Sequence, residues 1–258
     1  MVTPPDERKI DMNPKCPPVM IIGAHRSGTS ATARALELLA LQIGQDLDSH
    51  REPRQLQKLH EDYLRRHGAA WHNPKPFLDW IATTEGRQDC VGYLRANLSR
   101  KFASTFGYRF NPKGLWSRAR LRFGARWGWK DPRTTLFAPA WLEIFPEARL
   151  VHVVRDPQAA ASSIRERELK FQAAGDPPTP NLSDIDYCTR LVQTYLAAGE
   201  KFADSPNYRR VRFEELRSNP PAMLEQLANF CQLQVTTGNL AAAAASIRPA
   251  HVRSTASK

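Results

Sequence analysis

Four apolar residues, Val19–Ile22, run straight into Gly23 and read as a short buried strand. His25-Arg26-Ser27-Gly28-Thr29-Ser30 follows, and then Leu36, Leu39 and Ile43 recur as one helix face. Gly44 is the expected stop of that helix. The order strand, glycine-containing loop, helix constrains the chain more than any other feature. It returns along the sequence. Trp127–Lys130 is a short strand, followed by a helix over Pro139–Phe145 with proline at its start. Leu150–Val154 is a second clear strand, followed by helices over Pro157–Ala174 and Asp184–Phe202. Val211–Phe213 is a third strand, and helices over Pro220–Cys231 and Leu240–Ile247 close the pattern. Strands alternating with helices predict an α/β fold of three layers, a central parallel sheet flanked by helices. Sites in such folds lie at the carboxyl ends of strands, so the loops after Ile22, Lys130 and Val154 are expected to meet.

The chain of 258 residues suits a single domain, with residues 1–17 as a flexible N-terminal segment and 249–258 as a basic tail. The stretch 46–126 is less legible. Helices are expected over Gln55–Arg66 and most of Asp79–Phe102, with Trp71–Pro76 as loop. Together they are expected to form insertions over one edge of the sheet and much of a binding pocket. The aromatics Trp71, Phe77, Trp80, Tyr93, Phe102, Phe106, Tyr108, Phe110 and Trp116 would line that pocket or fill the core.

Composition excludes whole classes. No apolar run approaches the roughly 18 residues of a membrane span, and the polar N-terminus lacks a signal-peptide core. Cys16, Cys90, Cys188 and Cys231 have neither metal-ligand nor redox spacing, so free thiols in a cytoplasmic protein are expected. No histidine motif calls for a metal. The net charge is +11, and Arg100–Arg133 holds ten Lys or Arg against Asp131 alone. Such a patch steers anions, be they nucleotides, sulfated molecules, nucleic acid or acidic lipid, or it is simply a solvated face.

Gly23-Ala24-His25-Arg26-Ser27-Gly28-Thr29-Ser30 nearly fits the phosphate-loop pattern GxxxxGK[ST]. In such a loop backbone N–H groups and a helix N-terminus face an anion. The lysine position holds Thr29, and the basic residue stands three places earlier, at Arg26. A nucleotide triphosphatase needs that lysine on its β and γ phosphates, so ATP hydrolysis is disfavoured. A second element, Arg155-Asp156-Pro157 with Ser163 eight residues after the arginine, leaves a buried strand at its carboxyl end. Arginine plus hydroxyl makes a receptor for a second phosphate. The alternative is an Arg155–Asp156 surface pair with a helix cap.

With both elements present, the sequence resembles the sulfotransferase family, from about Val19 to the region Phe213–Leu227. The resemblance implies a P-loop nucleotide-kinase-like fold and the donor PAPS (3′-phosphoadenosine 5′-phosphosulfate), with PAP as product and no metal. In that family a KSGT or RSGT loop binds the 5′-phosphosulfate, which here implies Arg26, Ser27, Gly28, Thr29 and Ser30. The RDP strand end and its serine bind the 3′-phosphate, here Arg155 and Ser163. Trp129-Lys130-Asp131-Pro132-Arg133 is similar to the KDPR element of bacterial members. Val211-Arg212-Phe213-Glu214-Glu215-Leu216 is similar to a late RYEDL element, with Phe213 in place of tyrosine. A basic C-terminal segment often closes the 3′-phosphate site. Arg253 stands for it here, and the RKG triplet is absent.

The resemblance implies transfer of a sulfuryl group to a hydroxyl or amine of a small-molecule or carbohydrate acceptor. A base takes the acceptor's proton and a cation meets the charge on the leaving oxygen. Arg26 suits the cation role, and Lys130 would contact the sulfuryl group. Animal cytosolic members use a histidine after the strand matching Trp127–Lys130, and none follows here. Glu52, with Asp48 behind it, is the first candidate base. Asp131 is the second and His50 a further option; the alternative role of Asp131 is to hold Arg133. Two rival functions stay open: a nucleotide-dependent phosphotransferase with a degenerate loop, and a non-catalytic binder of anions or nucleic acid. The first reading expects no nucleic-acid partner and leaves the oligomeric state open.

Overall fold

The structure, a computed structural model, describes residues 16–44, 46–105 and 123–247, with backbone only for 99–105. Arg253, the tail 249–258, Phe106, Tyr108, Phe110, Trp116, the side chain of Phe102 and most of the basic stretch after Arg100 lie outside them.

Four parallel strands form one sheet: β1 (Val19–Ile22), β2 (Gly128–Lys130), β3 (Arg149–Val154) and β4 (Tyr208–Arg212). Their spatial order is β2-β1-β3-β4, so the chain crosses the sheet between β2 and β3. Val19 pairs with Gly128 on one side and with Arg149 on the other, and Leu150 pairs with Tyr208. Each connection carries helices, as parallel pairing requires.

The period-two alternation of strand side chains assigns the two faces. Val19, Ile21, Val151, Val153 and Val211 pack against α1 (Thr29–Leu38), α8 (Phe213–Ser218), α9 (Pro220–Cys231) and α10 (Thr237–Ser246). Met20, Ile22, Trp129 and Leu150 face the other way. They pack on α2 (Arg54–Arg66), α3 (Lys75–Ile81), α4 (Thr84–Thr105), α5 (Thr134–Ile144), α6 (Pro157–Ala173) and α7 (Ile185–Glu200). This is the three-layer parallel α/β fold expected from the sequence. None of the described helices is long and apolar enough to cross a membrane.

Several boundaries differ from expectation. Helix α1 ends at Leu38 rather than at Gly44. Ala40 turns left-handed with φ 71°, and Gln42 then bridges Trp127 beside the sheet. Leu39, Leu41 and Ile43 are buried from a turn and an extended segment, so apolar spacing alone overran the helix. Helix α5 starts at Thr134, and Pro139 lies inside it. Its first turn is anchored by Thr134 N–H donating to Asp131 O and Leu136 N–H to Arg133 O. Burial of Leu136, Phe137, Ala140 and Trp141 offsets the hydrogen bond that Pro139 omits. A helix, α3, stands where the loop was expected to run on to Pro76. Phe213 opens α8 instead of ending β4.

Candidate active site

The carboxyl ends of β1, β2 and β3 meet as their order requires. The Gly23 N–H donates to Thr135 Oγ1 at 2.8 Å, tying the loop after β1 to the helix after β2. Gly23 has φ 140°, and a Cβ there would lie 2.2 Å from Val153 O, so β3 can approach only a glycine. Ser27 Oγ donates to Ala24 O at 2.7 Å and closes the loop on itself. Ser27 is therefore buried and lines neither cavity described below. Gly28, at φ 100°, stands at the start of α1, which has no side-chain cap. The free N–H groups of that first turn make an anion seat.

Two adjoining cavities open at this edge. The smaller, about 250 Å³, is lined by the α1 start (Gly28, Thr29, Ser30, Ala31), Lys130, Pro132, Arg155 and Phe213. The larger, about 410 Å³, is lined by Asp48, Ser49, Gln57, Trp71, Arg133 and, along and beyond α6, Ile164, Glu168, Phe171, Thr179 and Leu182. His25, Arg26, His50, Glu52 and Arg167 line both. They stand at the junction.

Three arginines converge here. Arg26 Nε donates to Ser163 Oγ at 3.0 Å, and Arg155 Nη1 donates to Arg26 O at 3.1 Å. Arg167 lies over the Phe171 ring at 4.9 Å. Among the described residues none of the three makes an ion pair. Partial burial, together with Arg167 and Arg155, lowers the pKa of Arg26 from its ordinary value. An anion bound there relieves that repulsion. Asp156 does not pair with Arg155; it caps α6 by accepting from Ala159 N–H at 2.8 Å.

Glu52 is buried between two cations. Its Oε1 accepts from Lys130 Nζ at 2.7 Å and its Oε2 from Arg133 Nη1 at 3.0 Å. Burial raises its pKa, and the charge of Asp131 adds to this; Lys130 and Arg133 act the other way. Asp48 shapes the turn that carries Glu52, its Oδ1 accepting from the N–H groups of His50 and Glu52, both at 2.8 Å. His50 faces the junction, where burial first and Arg167 next lower its pKa.

Asp131 is fully buried and lines neither cavity. Its carboxylate accepts from His60 at 2.7 Å and from the backbone and side chain of Arg133, both at 2.9 Å. This corrects the expectation of a second candidate base: Asp131 has no access to an acceptor, and what it holds is Arg133. Lys130, Thr29, Ser30, Gly28, Arg155 and Phe213 gather at the smaller cavity as named from the sequence. Ser163 lines neither cavity and is joined to the smaller one by its bond with Arg26.

Two residues at the junction were missed. His25 packs on Trp71, with ring centroids 4.3 Å apart, and its Nε2 is buried without a partner. Burial first, and Arg133 next, hold its pKa well below the ordinary value. Its place in the loop, next to Arg26, was the available signal. Arg167 stands in Arg165-Glu166-Arg167-Glu168, whose alternating charges give no local sign of a cavity. In fact Glu168 is buried, accepting from Thr179 N–H at 2.6 Å. Ser163, Arg167 and Phe171 recur every fourth residue and so share a helix face, which the sequence does display. Of the aromatics, Trp71 lines the larger cavity, whereas Phe77 is core, and Trp80 and Tyr93 pack beside Tyr63.

Comparison with known proteins adds the following. A family model described as the sulfotransferase family matches residues 17–237. The omega-hydroxy-beta-dihydromenaquinone-9 sulfotransferase Stf3 of Mycobacterium bovis is 28% identical over 102 residues, which is 38% of this chain and 26% of the relative. Its counterpart in Mycobacterium tuberculosis matches over the same extent. The match thus spans about a quarter of these curated relatives. Among solved structures, sulfotransferase STF1 from Mycobacterium tuberculosis H37Rv aligns with a TM-score of 0.54 at 18% identity, over 89% of this chain and 70% of that one. At that identity the likeness speaks for the fold.

Proposed function

The chain belongs to the sulfotransferase family, and from that premise we propose that it transfers a sulfuryl group from PAPS to a hydroxyl or amine of a small-molecule acceptor, releasing PAP. The observation that carries this reading is the pair of adjoining cavities with Arg26 and Glu52 at their junction. The smaller cavity is polyanion-shaped in its chemistry, with an uncapped helix start, Lys130 and Arg155. Bound there, PAPS supplies the sulfuryl group.

In this reading Gly28, Thr29 and Ser30 seat the 5′-phosphosulfate with backbone N–H groups and hydroxyls. Arg155 holds the 3′-phosphate, joined by the hydroxyl proton of Ser163, which is left free when Ser163 accepts from Arg26. Glu52 takes the proton from the acceptor hydroxyl. The acceptor oxygen forms its bond to sulfur as the bond from sulfur to the 5′-phosphate oxygen breaks, and that oxygen keeps the electron pair. Arg26 and Lys130 meet the charge growing on the leaving oxygen. Arg26 stays charged throughout, offering hydrogen bonds rather than a proton.

The larger cavity supports an acceptor with an apolar body. Trp71, Ile164, Phe171 and Leu182 are among its lining, and Glu52 and His25, which it shares with the smaller cavity, mark where a hydroxyl would sit. The hydroxylated menaquinone in the name of the Mycobacterium relatives is an acceptor of that kind. The test is PAP release from PAPS in the presence of a panel of hydroxylated aromatic, lipid and sugar acceptors. PAP formed only when donor and acceptor are both present supports the reading. Turnover with ATP in place of PAPS would instead favour phosphoryl transfer.

A further inference from the structure

A buried chain of side chains runs from the core to Glu52, and its polarity is fixed at the far end. Trp141 Nε1–H can only donate, and it reaches His60 Nε2 at 3.0 Å. His60 Nε2 is therefore the acceptor, and its proton sits on Nδ1, which donates to Asp131 Oδ2 at 2.7 Å. His60 and Asp131 are both fully buried. Asp131 Oδ1 then accepts from the Arg133 N–H and from Arg133 Nη1, both at 2.9 Å. Arg133 Nη1 also reaches Glu52 Oε2 at 3.0 Å, and Nη2 reaches Glu61 Oε1 at 2.7 Å. Each bond leaves its neighbour one orientation. Although burial opposes ionisation, Arg133 and His60 hold the Asp131 carboxyl well below the usual carboxylate range.

We propose that His60 and Asp131 are positioning residues for Glu52, acting through Arg133 to fix the carboxylate at the junction of the two cavities. Neither touches a cavity, so neither meets donor or acceptor. A base held at two oxygens by oriented cations keeps its lone pairs aimed, and a misplacement of about 1 Å lowers turnover up to ~100-fold. The inference rests on Glu52 as the base proposed above.

The test is a substitution series on the full chain, read in two ways. The first reading needs no donor or acceptor: the carboxyl ¹³C signal of Glu52, assigned by its loss in Glu52→Gln, is followed against pH. Glu52 is faced by Lys130, Arg133 and Asp131, by His25 and Arg26 from the loop after β1, by Asp48 and His50 from its own turn, and by Arg167 from α6. His60→Leu leaves all of these charges in place and removes the bond that orients Asp131 together with the bond from Trp141. If Arg133 then loosens, Glu52 loses part of a cation and its midpoint moves to higher pH. His60→Asn, which restores a side-chain N–H near the position of Nδ1, should bring the midpoint back. Trp141→Phe should give a smaller shift in the same direction and stands in if His60→Leu fails to fold. The second reading is kcat, expected to fall about 10–100-fold in His60→Leu and to be largely recovered in His60→Asn, with PAP affinity unchanged throughout. A midpoint that stays put in His60→Leu and Trp141→Phe, or equal damage from Asn and Leu at position 60, would overturn the proposal. Absence of any PAPS turnover would instead fault the sulfuryl-transfer reading, and the carboxyl titration would still decide this one.

Discussion

Arg26 and Ser163 are 137 positions apart in the chain and joined by a 3.0 Å hydrogen bond from Nε to Oγ. The bond straps the loop after β1 to the second turn of α6. Arg155 fastens the same loop from below, through the Arg26 carbonyl. Arg26 accordingly sits in the left-handed region, φ 68°, which a non-glycine residue adopts only when its surroundings hold it there. The two motifs that the sequence assigns to separate phosphates are thus one hydrogen-bonded unit.

Ser163→Ala should therefore act on both. On the proposed function it removes a hydroxyl for the 3′-phosphate, along with the acceptor that holds Arg26. PAP affinity should fall about tenfold, the effect of roughly 1.4 kcal/mol. Calorimetric titration with PAP measures it, and kcat should fall with it.

Gly28→Ala should be more severe. The position has φ 100°, and a Cβ would lie 2.2 Å from Cδ2 of the Phe213 ring. Strain and overlap together should destabilise the fold by roughly 2–4 kcal/mol and disrupt the anion seat. Adding Phe213→Ala to Gly28→Ala removes the overlap but not the strain, so thermal stability should recover in part. Full recovery would contradict the assignment of backbone strain to this position.

Glu52→Gln should lower kcat about 10²–10⁴-fold while PAP still binds. A glutamine keeps the volume but takes no proton. In the wild type the raised pKa of Glu52 sets the sign of the pH profile. The rate should rise with pH through a midpoint above that of an ordinary glutamate, since the base works only when ionised. A midpoint at or below the ordinary value would contradict burial as the dominant influence.

The three-layer fold was legible because β1 is an uninterrupted apolar run, β3 is apolar apart from Arg149 and His152, and helices lie between them. The loop at Arg26–Ser30 was legible because its glycine and hydroxyl spacing serves the backbone, which is local. Glu52 was legible only as a position after α1. Its bonds to Lys130 and Arg133 join residues 78 and 81 positions apart, which no local pattern encodes. Asp131 stood as a candidate base because it follows the strand after which the resembled animal members carry a histidine; its burial depends on His60 and α5 packing over it. Helix α5 begins five residues before the expected start because Pro139 reads locally as a first helical residue, whereas burial of Leu136, Phe137 and Trp141 carries the helix through it from Thr134.

His152 lies in β3, fully buried, with Nδ1 at 2.7 Å from the Tyr208 hydroxyl. Burial, and then Arg210, lower its pKa to about 4 from the usual 6.5. The unfolded chain therefore takes up a proton near pH 6.5 that the folded chain refuses until about 4. Stability from this residue is complete above 6.5 and is lost as pH falls through that window, by roughly 3 kcal/mol in all. Urea unfolding between pH 4 and 7 measures the slope, and His152→Gln should flatten it.

The central claim is a polyanionic donor seat built on Arg26 and Arg155. The measurement that tests it most directly is calorimetric titration of the full chain with PAP, which needs no acceptor, alongside Arg155→Ala and Arg26→Ala. The account expects saturable one-to-one PAP binding in the wild type that weakens at least about tenfold in Arg155→Ala and less in Arg26→Ala. No PAP binding by the folded wild type, or binding that both substitutions leave intact, would contradict it.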